Sequence, residues 1–485
     1  MKTIHEQPVR LPLSVRQLPV TETDYPIAGA ARLETVINLD DYGYVEEEYL
    51  LKGEASIYSW PKEEPIPLVQ TESTPYCTRI LVRKPKDTGI FSGVVAMECF
   101  NGSFKIDHQN AGWGLNHEHI MESGDAWVGF TKDYGCMDSL HKLNPERYGD
   151  IGFPNPKPPE EVKGNGWDPL FSYWEEHNMP FELLLSPQYE RGIGYEVTYQ
   201  IAALLKRCEP GDPFFGYAVK DVVAFGINDY NTHISALHPY LRMPDKKPVI
   251  DGYLMYMSGE GCALNNEEDC FRFDDPRCKR TCDVPIIKVE TSGDLLGILP
   301  HPFWAVLWRC EDSDEPGKQM RWYEIPGLGV RACFRQDKSF FACQEDYDKI
   351  GEVNIYRTEY WNQMTWMIVS AAYRNLKDWI NGVIPPRADR IQVSGEYPNF
   401  RILADEYGNH LGGIRHPYLE VPIAVFGEDS SITFFDKSLR DKLYSSKEDY
   451  VEKVRECALQ MVKDRWLLPR AVDALVEQAE SIQWN

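Results

Sequence analysis

The sequence predicts an α/β protein, a mostly parallel sheet covered by helices on both faces. Two observations lead there. Short apolar, β-rich runs recur along the chain, at residues 77–83, 93–99, 126–130, 222–225, 252–257, 284–289 and 322–325. Stretches with apolar residues at helical spacing lie between several of them. Strands that alternate with helices pair in parallel, because a parallel neighbour is reached only through a long crossover.

Taken in order, residues 43–59 alternate in polarity around a central Gly53, a pattern that predicts a hairpin within that segment. The runs at 77–83 and 93–99 are strands, 115–123 is helical, and 126–130 is the next strand. Residues 151–187 are rich in Pro, Gly and aromatics without a period, which suits a lid or insertion better than core. An amphipathic helix is expected over 194–208, a strand over 222–225 and a short helix over 231–241. A long helix over 359–382 ends at Asn381-Gly382, just before Pro385-Pro386. Residues 448–483 read as one or two terminal helices. These elements divide into a β-rich extension (1–75), a main α/β domain (76–430, with insertions at 151–190 and 259–282) and C-terminal helices (431–485).

With 485 residues and 43% hydrophobic content, the chain can bury a large core. Its net charge of −24 repels phosphate backbones and anionic lipid, so neither nucleic acid nor a membrane surface is an expected partner. No signal peptide and no apolar run near the roughly 18 residues of a membrane span is visible, and a cytoplasmic protein is expected. A small molecule is the expected partner, with a homodimer as the candidate assembly. No cofactor is implied. Cys262, Cys270, Cys278 and Cys282 cluster, but their spacing contains no C-x-x-C pair, so no metal site is assigned and free thiols in an insertion are the simpler reading.

One segment carries the chemistry. Residues 221–232 place an apolar run before Gly226-Ile-Asn-Asp-Tyr, the strand–turn–helix context of a nucleophile elbow, G-x-S-x-G. Asn228 stands where the serine belongs, and an amide cannot form an acyl-enzyme as serine does.

Several strings make the chain resemble the bacterial and fungal "α/β hydrolase domain-containing" proteins of the α/β-hydrolase superfamily. They are Gly43-Tyr-Val-Glu-Glu-Glu, Tyr76-Cys-Thr-Arg-Ile-Leu-Val-Arg-Lys-Pro, Phe91-Ser-Gly-Val-Val-Ala-Met-Glu and Gly124-Asp-Ala-Trp-Val-Gly-Phe. Leu143-Asn-Pro-Glu-Arg-Tyr-Gly, Asp312-Ser-Asp-Glu-Pro-Gly and Asp405-Glu-Tyr-Gly-Asn-His-Leu-Gly-Gly-Ile-Arg-His-Pro complete the set. The resemblance spans about Gly43 to Glu428 and implies an α/β-hydrolase fold with a lid-like insertion. It also implies a Ser–acid–His triad, from which this chain departs. Asn228 replaces the serine. Asp294 is retained in Thr291-Ser-Gly-Asp, with Ser292 at a glutamate position. Val330, in Gly327-Leu-Gly-Val, stands where the histidine is expected. No serine lies between residues 219 and 234 and no histidine between 302 and 409, so a local slip in alignment does not restore the set.

Asn tolerates the strained turn of an elbow, so Asn228 either preserves its shape or hydrogen-bonds a substrate carbonyl. Asp229 is a candidate base or helix cap, and Tyr230 a candidate donor or filler. His233 and His301 are candidate acid–base groups. The loop Asn101-Gly102-Ser103 is where this fold places oxyanion donors. Cys99, His108 and Trp113 are candidate pocket residues beside it, Cys99 being also a conceivable substitute nucleophile though a buried inert thiol is the simpler reading. Three functions compete: non-covalent cyclisation, isomerisation or elimination of a small carbonyl- or ester-bearing metabolite; ester or lactone hydrolysis with a displaced nucleophile or activated water; and non-catalytic ligand binding.

Overall fold

The computed structural model describes the chain except residues 102–105, 109–110, 163–185, 227–235, 257–262, 269–274, 276, 278–280, 297–303, 308, 330–340, 352–363, 397–398, 428–430 and 485. Ten strands form the main sheet. They are β1 (Lys2–Thr3), β2 (Ser14–Leu18), β3 (Tyr44–Ser59), β4 (Leu68–Pro85), β5 (Val94–Cys99), β6 (Ala126–Phe130), β7 (Asp221–Gly226), β8 (Gly252–Tyr256), β9 (Ile286–Thr291) and β10 (Met320–Ile325). Their order is β10-β9-β8-β7-β5-β6-β4-β3-β2, with β1 against β4. From β6 to β10 every pair is parallel, and β4, β3 and β2 add antiparallel strands at one side.

The expected strands are present because each is buried on both faces. All residues of β5, β6, β8, β9 and β10 are buried, the signature of a sheet covered by helices. One face carries Val95, Met97, Val222, Ala224 and Tyr253 beneath α2 (Ile193–Arg207). The other carries Ala96, Val223, Phe225, Leu254 and Val289 beneath α1 (Ala111–Glu122) and α4 (Met364–Ile380). Helices α5 (Lys447–Lys463) and α6 (Arg470–Ser481) pack on this second layer, giving two terminal helices. Among the described residues no helix is long and apolar enough to cross a membrane.

Two local expectations are corrected. Residues 43–59 do not fold back on themselves. They form the single strand β3, which pairs with β4 along nearly its whole length. Gly53 is a packing requirement rather than a turn: the ring of Tyr76 lies across it, and a Cβ there would stand 2.8 Å from Tyr76 Cε1. The helix expected over 231–241 does not reach its end, because Leu241–Arg242 is captured as a short parallel strand by Gln7–Pro8. Gln7 N–H donates to Tyr240 O at 2.8 Å and Val9 N–H to Arg242 O at 2.8 Å. The long helix is described from Met364 and stops at Ile380, with Gly382 left-handed at φ +89°.

The β3–β4 ribbon extends past the carboxyl ends of the parallel strands and folds over the first turns of α2. Buried Glu196 is the fastening. It accepts from Arg10 Nε (3.0 Å), Arg10 Nη2 (2.8 Å), Ser56 N–H (3.0 Å), Tyr58 O–H (2.7 Å) and Gln200 Nε2 (3.1 Å).

Candidate active site

In open parallel sheets the loops that leave the carboxyl ends of the strands gather on one rim, and chemistry is sited there. Here that rim collects the segments after β5, β7, β9 and β10.

After β5, the backbone is stapled rather than open. Asn101 N–H donates to His108 O at 3.1 Å, so this amide is engaged within its own loop. Gly102 and Ser103 lie outside the described residues. Asp107 is buried and takes a two-pronged bond from Arg79 Nη2 (2.8 Å) and Nε (3.1 Å), together with the Thr131 hydroxyl. Arg79 also reaches Glu48 at 2.7 Å, and Glu48 holds Arg147 Nε at 2.8 Å. His108 is fully buried, bonded through Nε2 to the Tyr347 hydroxyl and set edge-on to Phe341. Cys99 is buried, and burial pushes its thiol up to about 11, which leaves it protonated and unreactive at neutral pH.

Trp113 is part of the core. It has no exposed surface, Arg83 lies 4.3 Å over its ring, and Trp127 packs at 5.3 Å. Its backbone N–H donates to Glu98 at 2.8 Å. The same buried carboxylate also accepts from Gly112 N–H (2.7 Å) and Trp127 Nε1 (2.8 Å). Glu98 therefore fills the positive end of α1 from beneath.

After β7 the described chain pauses at Gly226. Asn228, Asp229, Tyr230 and His233 lie outside the described residues, as does His301. Val330, after β10, does too.

After β9 the chain is described through Leu296. Thr291 caps the short helix α3 (Ser292–Leu296), and Asp294 answers it. Asp294 Oδ2 accepts Thr291 N–H at 2.6 Å and Thr291 Oγ1–H at 2.8 Å, and Asp294 N–H approaches Thr291 Oγ1 at 3.3 Å. This reciprocal pair is a capping box. Burial pushes the Asp294 carboxyl up to about 7, the two Thr291 donors and Lys288 holding it back from going further. No imidazole among the described residues touches either oxygen.

The residue that sequence reasoning missed is His410. Its Nδ1 lies 2.9 Å from Ser292 Oγ. Gly327, just past β10 and left-handed at φ +72°, donates its N–H to the same Oγ at 3.0 Å. Gly293 N–H returns a bond to Leu328 O at 2.9 Å, so the ends of β9 and β10 are laced together at the imidazole. The turn that bears His410 is held by Asn409, which bonds Ala424 O (2.9 Å) and Phe426 N–H (3.0 Å). Arg415 adds bonds to His410 O, to Asp405 (2.9 Å) and to Leu419 O (2.8 Å). Nothing local in the sequence marks His410, which reaches Ser292 only through the fold. The string over residues 405–417, part of the family likeness, was the one available signal.

Among the described residues no group of three or more His, Cys, Asp or Glu side chains is arranged to hold a metal. Cys262, Cys270 and Cys278 are outside those residues. Cys282 is buried, with its thiol pushed up to about 12 by burial.

A ten-stranded, mostly parallel sheet flanked by helices is the architecture of the α/β-hydrolase class. The chain belongs to that class: the family model described as "Alpha/beta hydrolase domain" matches residues 9–477. Among solved structures, a glucuronoyl esterase from Solibacter usitatus aligns over 72% of this chain and 87% of its own, at 9% identity and TM-score 0.30. An alpha-beta serine hydrolase homologue from Coxiella burnetii aligns over 51% and 81%, at 10% identity and TM-score 0.27. A putative dienelactone hydrolase from Klebsiella pneumoniae subsp. pneumoniae aligns over 62% and 96%, at 10% identity and TM-score 0.25. Likenesses this distant carry no inference about substrate. No curated protein matches the sequence.

Proposed function

We propose that this chain is an α/β-hydrolase-fold enzyme that works without an acyl-enzyme, carrying out cyclisation, isomerisation or elimination on a small carbonyl- or ester-bearing metabolite. The observation that carries the reading is the fate of Asp294, the one triad position the sequence retains. Its Oδ2 takes the two donors of Thr291, and among the described residues no histidine meets the carboxylate. Asn228 stands at the nucleophile position that the sequence suggests, and an amide side chain supports no acyl-enzyme.

A serine-directed fluorophosphonate tests this. The expected result is an unlabelled protein by intact-mass spectrometry. A stoichiometric adduct on any serine sinks the reading.

A second reading, ester or lactone hydrolysis by a displaced nucleophile, draws on the serine–imidazole contact of Ser292 and His410. Against it, Ser292 has no exposed surface, whereas His410 is 8% exposed. Adduct formation at Ser292 in the same labelling experiment selects this second reading.

A further inference from the structure

We propose that the cleft between the β3–β4 ribbon and the start of α2 is a binding site for a primary ammonium group, with the buried carboxylate of Glu190 as its charged partner. The inference stands apart from the reaction proposed above and uses none of the residues argued there.

The cleft is walled by Gln70 and Thr71 from the ribbon, by Lys157, by Glu190 just ahead of α2, and by Glu267. Its volume is about 230 Å³, solvent at the mouth included, and its interior has room for roughly one water-sized particle. An ammonium head is of that size. The open mouth leaves a way out for the carbon chain behind it.

Glu190 supplies the attraction. It is 5% exposed. Its Oε1 accepts Gly192 N–H at 2.8 Å and Asn266 N–H at 3.1 Å. Oε2 takes no hydrogen bond among the described residues, so it is the oxygen that Glu190 has to offer the cleft. A carboxylate more than nine-tenths buried with one bare oxygen calls for a partner that donates. Lys157 and Glu267 already offset each other, with Lys157 Nζ 2.5 Å from Glu267 Oε2, and Gln70 Nε2 reaches the same oxygen at 3.4 Å. That pair shows how this wall meets an ammonium. Arg191 also acts on Glu190 but does not outweigh burial, which pushes the carboxyl up to about 7. A bound cation would favour its ionised form.

An ammonium head carries three N–H donors. Oε2 of Glu190 accepts one. The Thr71 hydroxyl and Glu267 Oε1, the oxygen that Lys157 and Gln70 leave alone, are the acceptors for the others. Ile57 and Pro156 supply the apolar part of the wall, enough for a short carbon chain. An anion would meet two carboxylates here, and a bulky apolar ligand finds no room.

Saturation-transfer difference NMR tests the site with known probes. The full-length protein is titrated with methylammonium or ethanolammonium chloride in about 0.15 M potassium chloride, which screens loose attraction to an acidic surface. The expected result is a saturable signal from both. Glu190→Gln, which keeps an oxygen for Gly192 and Asn266, should lose about 10-fold or more of the affinity. Lys157→Met releases Glu267 and should tighten binding. Glu72→Gln, at an exposed carboxylate, should leave it unchanged. With Lys157, Glu267 and Arg191 as the charges around it, Glu190 ionises as pH rises through about 7, so affinity should climb from pH 6 to pH 8. Circular dichroism and thermal melts confirm that the variants fold. No saturable signal from the parent protein overturns the proposal, as does equal binding by folded Glu190→Gln. Should that variant fail to fold, a Lys157→Met protein that binds no tighter overturns it. Tetramethylammonium has the charge but no N–H, and a signal from it equal to that of methylammonium would show that charge alone gathers cations here and would sink the idea.

Discussion

At the scale of single residues, Asp294 offers a pH test. Its folded carboxyl is raised to about 7 from an ordinary 3.8, chiefly by burial. A carboxyl raised in the fold is favoured in its neutral form. Its contribution to stability is full at acid pH and is lost as pH rises from about 4 through about 7. Asp294→Asn keeps an acceptor for Thr291 and cannot ionise. The melting temperature of this variant relative to the parent should therefore climb between pH 5 and pH 8. A difference that stays flat, or falls, across that window refutes the assignment. This residue also shows what sequence could and could not tell. Its position after a strand was readable from Thr291-Ser-Gly-Asp. Its use was not, because the same spacing serves a catalytic acid and a capping box alike. Ser292 was readable as a departure from the family pattern, but its partner was not, since His410 is brought to it by a turn far along the chain.

At the scale of elements, α1 depends on a charge buried beneath it. Glu98 accepts two backbone N–H groups from the first turn of α1 and one from the Trp127 indole. Hydrogen bonds to a charged group contribute about 1.5–3 kcal/mol each when both partners are present. Glu98→Gln keeps the shape but removes the charge and one acceptor oxygen. It should lower stability by about 2–3 kcal/mol, seen as a lower denaturant midpoint. A midpoint within error of the parent would show that α1 holds itself. The strands were legible because burial on both faces leaves continuous apolar runs. The β3–β4 ribbon was legible as strand yet misread as a hairpin. Gly53 signals a turn in a one-dimensional pattern, but its real constraint is the ring of Tyr76 on the neighbouring strand.

At the scale of the whole molecule, a buried ionic chain runs from Arg147 through Glu48 and Arg79 to Asp107. It joins the loop after β5 to the ribbon and to the short helix Pro145–Tyr148. Removing one member strands its partners without water. Arg79→Met should cost about 3–5 kcal/mol, whereas exposed Lys2→Met, which loses a solvated pair with Glu72, should leave the denaturant midpoint close to the parent's. Equal losses in a denaturation series would mean that the chain is solvated after all. The fold class was legible in strand and helix order, because the parallel core is local in sequence. The polar network was not, because each of its four members comes from a different element.

The knot around Glu196 has a practical outcome for anyone trimming the protein. Arg10, which lies ahead of β2, supplies the opposite charge to a carboxylate that is only 3% exposed on its side chain. Shortened versions that start at Leu11 would strip that counter-ion and the edge that Gln7 and Val9 give to Leu241–Arg242. The segment around Gln7, Val9 and Arg10 thus acts as a structural latch, and an affinity tag should not replace it.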